Sequence, residues 1–191
     1  MLDERPRRAS SGGQPRARRE KKRPGPLTAA SLRFAALGYV ERYPATVVSL
    51  TRTLRRKVQT WMRKTEEPAP VEAPTWIAAI VNEIVERGFV DDRRLAEAKI
   101  ASLQRKGKSK RAVQASLRAK GVGETMIDEV ITASGGSDED AAWVLAKKKK
   151  LGPYRDAAER RERRDKDMAV LGRAGFSFWL ARSIVESEQP L

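Results

Sequence analysis

Leu117, Gly121, Val122, Met126 and Val130 recur 54 positions later as Leu171, Gly175, Phe176, Leu180 and Ile184. LRAKGV at 117–122 returns as LGRAGF at 171–176. In both places a helix ends on glycine, an apolar residue follows and another helix begins. A chain that repeats such a unit builds stacked helical modules. The competing reading is one compact bundle with an accidental echo, which the matching cap, glycine and apolar positions disfavour.

The rest of the chain fits the modular reading. Thr28 and Thr46 are placed to cap helices. Their apolar residues, Leu32, Ala35, Ala36 and Tyr39, then Leu50, Leu54, Val58 and Trp61, fall at helical spacing. Pro44 separates the two. TEEPAPVEAP at 65–74 reads as a linker, after which Thr75 is expected to cap a helix with Ile77, Ile80, Val81 and Ile84 inward and Gly88 at its end.

Asp91-Asp92 opens a second set, with Gly107, Gly121 and Gly135-Gly136 as stops and Ser109 as a cap. Ser137 opens a third. Its inward residues include Ala141, Val144 and Leu145, then Phe178, Ala181, Ile184 and Val185 after a charged helix over about 157–173. No sustained alternating pattern suggests a strand.

The predicted fold is all-α. Three tandem three-helix repeats, 27–90, 91–136 and 137–191, form a short curved solenoid. Each triplet is too small to bury its apolar face alone, so the triplets are expected to stack. Residues 1–26 hold nine Arg and Lys against three acids, broken by Pro and Gly, and predict a disordered basic tail.

Charge narrows the partner. Forty Lys and Arg against 25 Asp and Glu give +15 and a pI near 10.5. Such an excess favours nucleic acid or a nucleoprotein. The chain has no Cys and no His, which excludes disulfides, thiol nucleophiles, imidazole metal sites and the usual triads. No apolar run nears the roughly 20 residues needed to span a bilayer, and no signal-peptide core is seen. A cytoplasmic monomer without cofactor or metal is expected.

GFVDDRRLAEAKIASLQRKGKSKRAVQASLRAKGV at 88–122 closely resembles the second repeat of the RecX family, bacterial regulators of RecA. The shared pattern is an acidic pair, a helix of small and apolar residues, a basic glycine turn, and a helix ending in Lys-Gly-Val. Here these are Asp91-Asp92, Leu95 to Leu103, the turn around Gly107, and Lys120-Gly121-Val122. GFSFWLARSIVE resembles the end of the third repeat, and AALGYVERYPATVVSLTRTLRRKV the first. Gly123 stands where the family commonly has an acid, and the tail and linker have no counterpart.

The resemblance implies a non-enzymatic protein lying in the groove of the RecA–single-stranded-DNA filament. There it would limit growth or promote disassembly, lowering ATP hydrolysis, strand exchange and repressor cleavage. Recombination, DNA repair and the SOS response would follow. Direct contact with single- or double-stranded DNA through basic surfaces and tail is a further expectation.

Basic banks are the candidate site. The first contacts expected are Lys106, Lys108, Lys110, Arg111, Arg118 and Lys120, with Arg105 in the same glycine turn. Lys147, Lys148, Lys149 and Lys150 with Arg155 form a second bank, and Arg160, Arg161, Arg163 and Arg164 a third, in which Arg160 and Arg164 are the expected contacts. Stacked units would align these banks along phosphates or an acidic groove. Asp91-Asp92 could be offered as a metal or acid–base site, but a helix start makes capping the better role. Trp61, Trp76, Trp143 and Trp179 are expected to pack in or between repeats. The rival reading is a helix-turn-helix DNA-binding protein over 109–131, disfavoured by Glu124, Asp128 and Glu129 on its presumed recognition helix.

Overall fold

The computed structural model describes residues 24–189. The expected tail over 1–26 therefore lies outside the described residues, save Pro24, Gly25 and Pro26, which have no regular structure. Among the described residues the chain is all-helical, in three triplets. They are α1 (Ala29–Val40), α2 (Val47–Thr65) and α3 (Ala73–Glu86); α4 (Asp92–Gln104), α5 (Lys110–Lys120) and α6 (Glu124–Ala133); α7 (Asp138–Lys149), α8 (Ala157–Arg173) and α9 (Phe178–Val185). A single 3-10 turn, Gly152–Tyr154, links α7 to α8.

Local sequence explains the boundaries. Thr28, Thr46, Ser109, Ser137 and Ser177 each accept a hydrogen bond from the backbone N–H three residues on. These bonds satisfy donors that a helix start leaves orphaned. The repeated ending is also alike in detail. Gly121 (φ 83°) and Gly175 (φ 92°) take the left-handed conformation. The N–H groups of Val122 and Phe176 then reach back to the carbonyls of Leu117 and Leu171, both at 3.2 Å. That bond pattern closes a Schellman turn and drops the following apolar side chain into the core.

Several expectations change. Thr75 is not a cap: α3 starts at Ala73 with Glu72 as N-cap, no side-chain cap bond, and Pro74 in its first turn. A proline there sacrifices no helical hydrogen bond. The linker shrinks to 66–72 because α2 continues to Thr65, whose hydroxyl donates to the Trp61 carbonyl. Val144 faces outward, since α7 turns Ala141, Ala142, Leu145 and Ala146 inward. Phe178 and Trp179 are 60% and 73% exposed, because Phe176 fills the core end of α9.

Each triplet also closes its own core. Leu32, Leu50, Leu54, Ile77 and Ile84 belong to one cluster; Ala96, Ile100, Leu117, Ile127 and Val130 to a second; Ala142, Leu145, Leu171, Ile184 and Val185 to a third. The helix pairs that pack extensively all lie within a triplet. Shared apolar burial is therefore not what stacks the units.

Polar joints do that, and the two joints repeat each other. In the first, the Thr46 hydroxyl donates to the Lys120 carbonyl (2.5 Å) and the Val47 N–H donates to Asp92 Oδ1 (2.9 Å). In the second, the Ser109 hydroxyl donates to the Ala174 carbonyl (2.8 Å) and the Lys110 N–H to Asp138 Oδ1 (2.6 Å). Each hydroxyl belongs to the N-cap of a middle helix. Each carbonyl ends the middle helix of the next triplet, where helical partners have run out. Each carboxylate opens the next triplet's first helix. The middle helices thus meet end to end, α8 to α5 to α2. Burial pushes the Asp92 carboxyl above its ordinary range, the Val47 N–H opposes this, and neighbouring Asp91 adds to it.

The third triplet has a buried ionic clasp. Asp167, 2% exposed, accepts from Arg155 Nη2 (2.8 Å), Arg155 Nε (3.1 Å) and the Gly152 N–H (3.0 Å). It ties the 3-10 turn to α8. Asp167→Ala should lose about 3 kcal/mol in urea unfolding, because it strands the Arg155 cation.

Two substitutions test the joints. Ser109→Ala removes a cap and leaves the Ala174 carbonyl without its donor, for an expected loss of about 1–3 kcal/mol in the same assay. A Cβ on Gly121 would lie 2.5 Å from the Val48 side chain. Gly121→Ala should therefore cost about 1–2 kcal/mol for its left-handed backbone, and a further loss for the clash. Adding Val48→Gly, which removes the clashing Cβ as well as the Cγ atoms, should recover only the second part, less about 1 kcal/mol for glycine within a helix.

Candidate functional site

The basic glycine turn is built by a second use of the Schellman geometry. Gly107 (φ 68°) sends its N–H to the Gln104 carbonyl, and the Lys108 N–H reaches the Leu103 carbonyl at 3.1 Å. The turn is pressed against α7: a Cβ on Gly107 would lie 2.7 Å from the Leu145 nitrogen. Arg105, Lys106, Lys108, Lys110 and Arg111 are all exposed around it. Lys147, Lys148, Lys149 and Lys150 are exposed at the end of the same α7, so the first two expected banks adjoin across the second joint.

Lys120 lies exposed at the first joint, its carbonyl held by Thr46. Arg118 forks onto Glu124 through Nε (2.6 Å) and Nη2 (2.8 Å). That bond holds the Glu124 carboxyl below its usual range.

Arg155 of the second bank and Arg160 and Arg164 of the third are engaged within the fold, whereas Arg161 is exposed with no ion pair among the described residues. Arg155 is the cation of the Asp167 clasp and reaches Glu159 as well. Arg160 donates to the carbonyls of Pro153 (2.7 Å), Arg155 (3.2 Å) and Glu188 (3.3 Å). Arg164 pairs with Glu186 and Asp165, while Arg182 also holds Glu186. The Glu186 carboxyl is lowered by Arg182 first and Arg164 second.

The structure adds a bank that sequence reasoning passed over. Arg52, Arg55, Arg56, Lys57, Arg63 and Lys64 are exposed along α2, with no ion pair among the described residues. Arg52, Arg55 and Arg56 edge a groove of about 530 Å³ with Val47, Val48 and Thr51. Arg56, Lys57 and Lys64 edge another with Trp61, whose Nε1 donates to the Gly25 carbonyl at 2.9 Å. A sequence signal existed: α2 carries six cations and no acid over 19 residues. Attention to its apolar face hid it.

This arrangement suits binding of an anionic surface. Cations without internal partners retain their charge for phosphates or carboxylates, whereas paired ones have spent theirs. They occupy α2, the first joint, and the turn at the second joint. Among the described residues, no group of three or more acids could hold a metal ion. None of their helices is long and apolar enough to cross a membrane.

The chain also resembles known proteins in sequence and in fold. Residues 91–131 match the family described as RecX, second three-helix domain. The chain is 38% identical over 182 residues to the regulatory protein RecX of Myxococcus xanthus, covering 94% of this chain and 97% of that one. It is 32% identical over 161 residues to the regulatory protein RecX of Thermobifida fusca, covering 83% and 79%. A crystal structure of regulatory protein RecX superposes with a TM-score of 0.57 at 23% identity, covering 83% of this chain and 72% of that one, and shares the fold. By its helical repeats, and by a resemblance that spans nearly its whole length, this chain belongs to the RecX family.

Proposed function

We propose that this protein is a non-enzymatic regulator of RecA in the bacterial cytoplasm. It binds the RecA–single-stranded-DNA filament as a monomer and limits filament growth or promotes disassembly. Recombination, DNA repair and the SOS response are tuned through that step. Three triplets, over 27–90, 91–136 and 137–191, act as successive modules along the filament.

The observation that carries this reading is the placement of the unpaired cations. They are exposed on α2, at Lys120 beside the first joint, and at Lys106, Lys108, Lys110 and Arg111 beside the second. A modular stack with a charged surface suits a partner that is itself repetitive and anionic. Contact with DNA phosphates would appear as a salt dependence, with a log–log slope of about −0.7 per phosphate on a single strand. The helix-turn-helix alternative gains nothing: α6 presents Glu124, Asp128 and Glu129 to solvent, a poor face for a duplex groove.

The test is RecA ATP hydrolysis on single-stranded DNA with substoichiometric amounts of this protein. Turnover should fall. Lys106→Glu/Lys108→Glu/Lys110→Glu and Arg52→Glu/Arg55→Glu/Arg56→Glu should each weaken inhibition about tenfold or more, with unchanged thermal melting. Unchanged ATP turnover with the wild-type protein, together with tight binding to duplex DNA alone, would refute the proposal.

A further inference from the structure

The 54-residue correspondence between α5–α6 and α8–α9 exposes a local reversal of chemistry. Arg111, Gln114, Ala115, Arg118 and Glu124 on the second triplet correspond to Asp165, Met168, Ala169, Gly172 and Phe178 on the third. The second triplet closes this face with the Arg118–Glu124 ion pair. In the third, glycine replaces the arginine and an exposed phenylalanine replaces the glutamate. The result is an apolar groove of about 490 Å³ between α8 and α9, with Met168, Ala169, Gly172, Phe176, Phe178 and Ala181 in its lining.

The fold does not require these aromatics. Glu124 and Thr125, which correspond to Phe178 and Trp179, are exposed too, and serve the same helix start with polar side chains. Yet Phe178 and Trp179 stand 60% and 73% exposed, packed edge to face with centroids 5.5 Å apart. The groove floor is open at Gly172, where an added Cβ would meet nothing within 4 Å. Exposing Phe178 at an empty apolar slot, with Trp179 exposed beside it, has a standing hydration cost, which a partner relieves on binding.

We propose that the α8–α9 groove is a protein-docking site that takes one bulky aliphatic or aromatic side chain, gripped by Phe178, with Trp179 packed behind that ring. The electrostatics select protein over nucleic acid. Asp165, with its side chain 90% exposed, stands where the second triplet has Arg111. The arginine at the rim, Arg164, is engaged by Glu186 and Asp165. A phosphate would meet an exposed carboxylate and no unpaired cation among the lining residues. A basic residue beside an apolar anchor could instead share Asp165, whose exposed carboxylate pairs with Arg164 and has lone pairs left for a second cation. The slot is too small to sustain a stable pair of copies, which needs about 1,200 Å² or more of buried surface. This inference rests on the filament reading, because the subunit gripped is one of the filament's.

The experiment uses the full-length chain, Phe178→Ala/Trp179→Ala, and Gly172→Arg, which restores the second triplet's arginine in open space. Binding is measured to the RecA–single-stranded-DNA filament and to the same labelled oligonucleotide without RecA. Both variants should melt like the parent and bind bare oligonucleotide equally well. Both should bind the filament about tenfold or more weakly, as expected for aromatic anchors at a hot spot. Unchanged filament affinity in both variants overturns the groove proposal and leaves the filament reading standing. Equal weakening toward bare oligonucleotide means base stacking and overturns it too. A parent protein that dimerises through this face also overturns it. A parent protein that ignores the filament sinks both readings together.

Discussion

The architecture depends on a hydroxyl that works twice. Thr46 and Ser109 each accept from the backbone N–H three residues on, which starts a middle helix. Each also donates to the carbonyl that ends the middle helix of the next triplet. A hydroxyl has one proton and two lone pairs, so one small group can satisfy a helix start and a helix end together. A carboxylate at the head of the next triplet takes the first N–H of the same middle helix. Two helix ends that would otherwise need water thus satisfy each other.

The third middle helix starts differently. The corresponding cap of the third middle helix is Asp156, which accepts from the Ala158 N–H at 3.2 Å. An ionised carboxylate has no proton to donate to another carbonyl. The same capping task is met, without the hydroxyl donor that both joints use. Discrete cores joined by a few directional bonds make a different object from a solenoid with continuous apolar burial. Each triplet keeps its own packing, and relative placement rests on distances rather than on shared volume.

Much of the fold was legible in sequence because capping and glycine chemistry is local. Thr28, Ser109, Ser137, Ser177 and Gly121 act where their positions imply. Thr75 misled because a good capping residue stood near the start, while Pro74 made an earlier start equally acceptable. The candidate site was legible only in part. Charge can be counted in sequence, but pairing cannot. Arg155 and Lys106 carry the same formal charge, yet one is clasped by buried Asp167 and the other is exposed to solvent. The α2 bank went unread because its residues alternate with the apolar face that identified the helix.

By itself, the sequence determined an all-helical chain of recurring three-helix units, a strongly cationic balance, and membership of a family that its glycine turns and acidic pair already suggested. These follow from local rules of period, cap and turn, which need no knowledge of neighbours in space. Tertiary structure decided how the units join, which arginines are engaged internally, and that Phe178 lines a groove, with Trp179 exposed beside it, rather than a core. The joints and the Asp167 clasp turn on contacts between residues 12 to 74 positions apart, such as Arg155 with Asp167 and Thr46 with Lys120. No local pattern encodes a contact of that kind, because its energy exists only once both partners have been brought together.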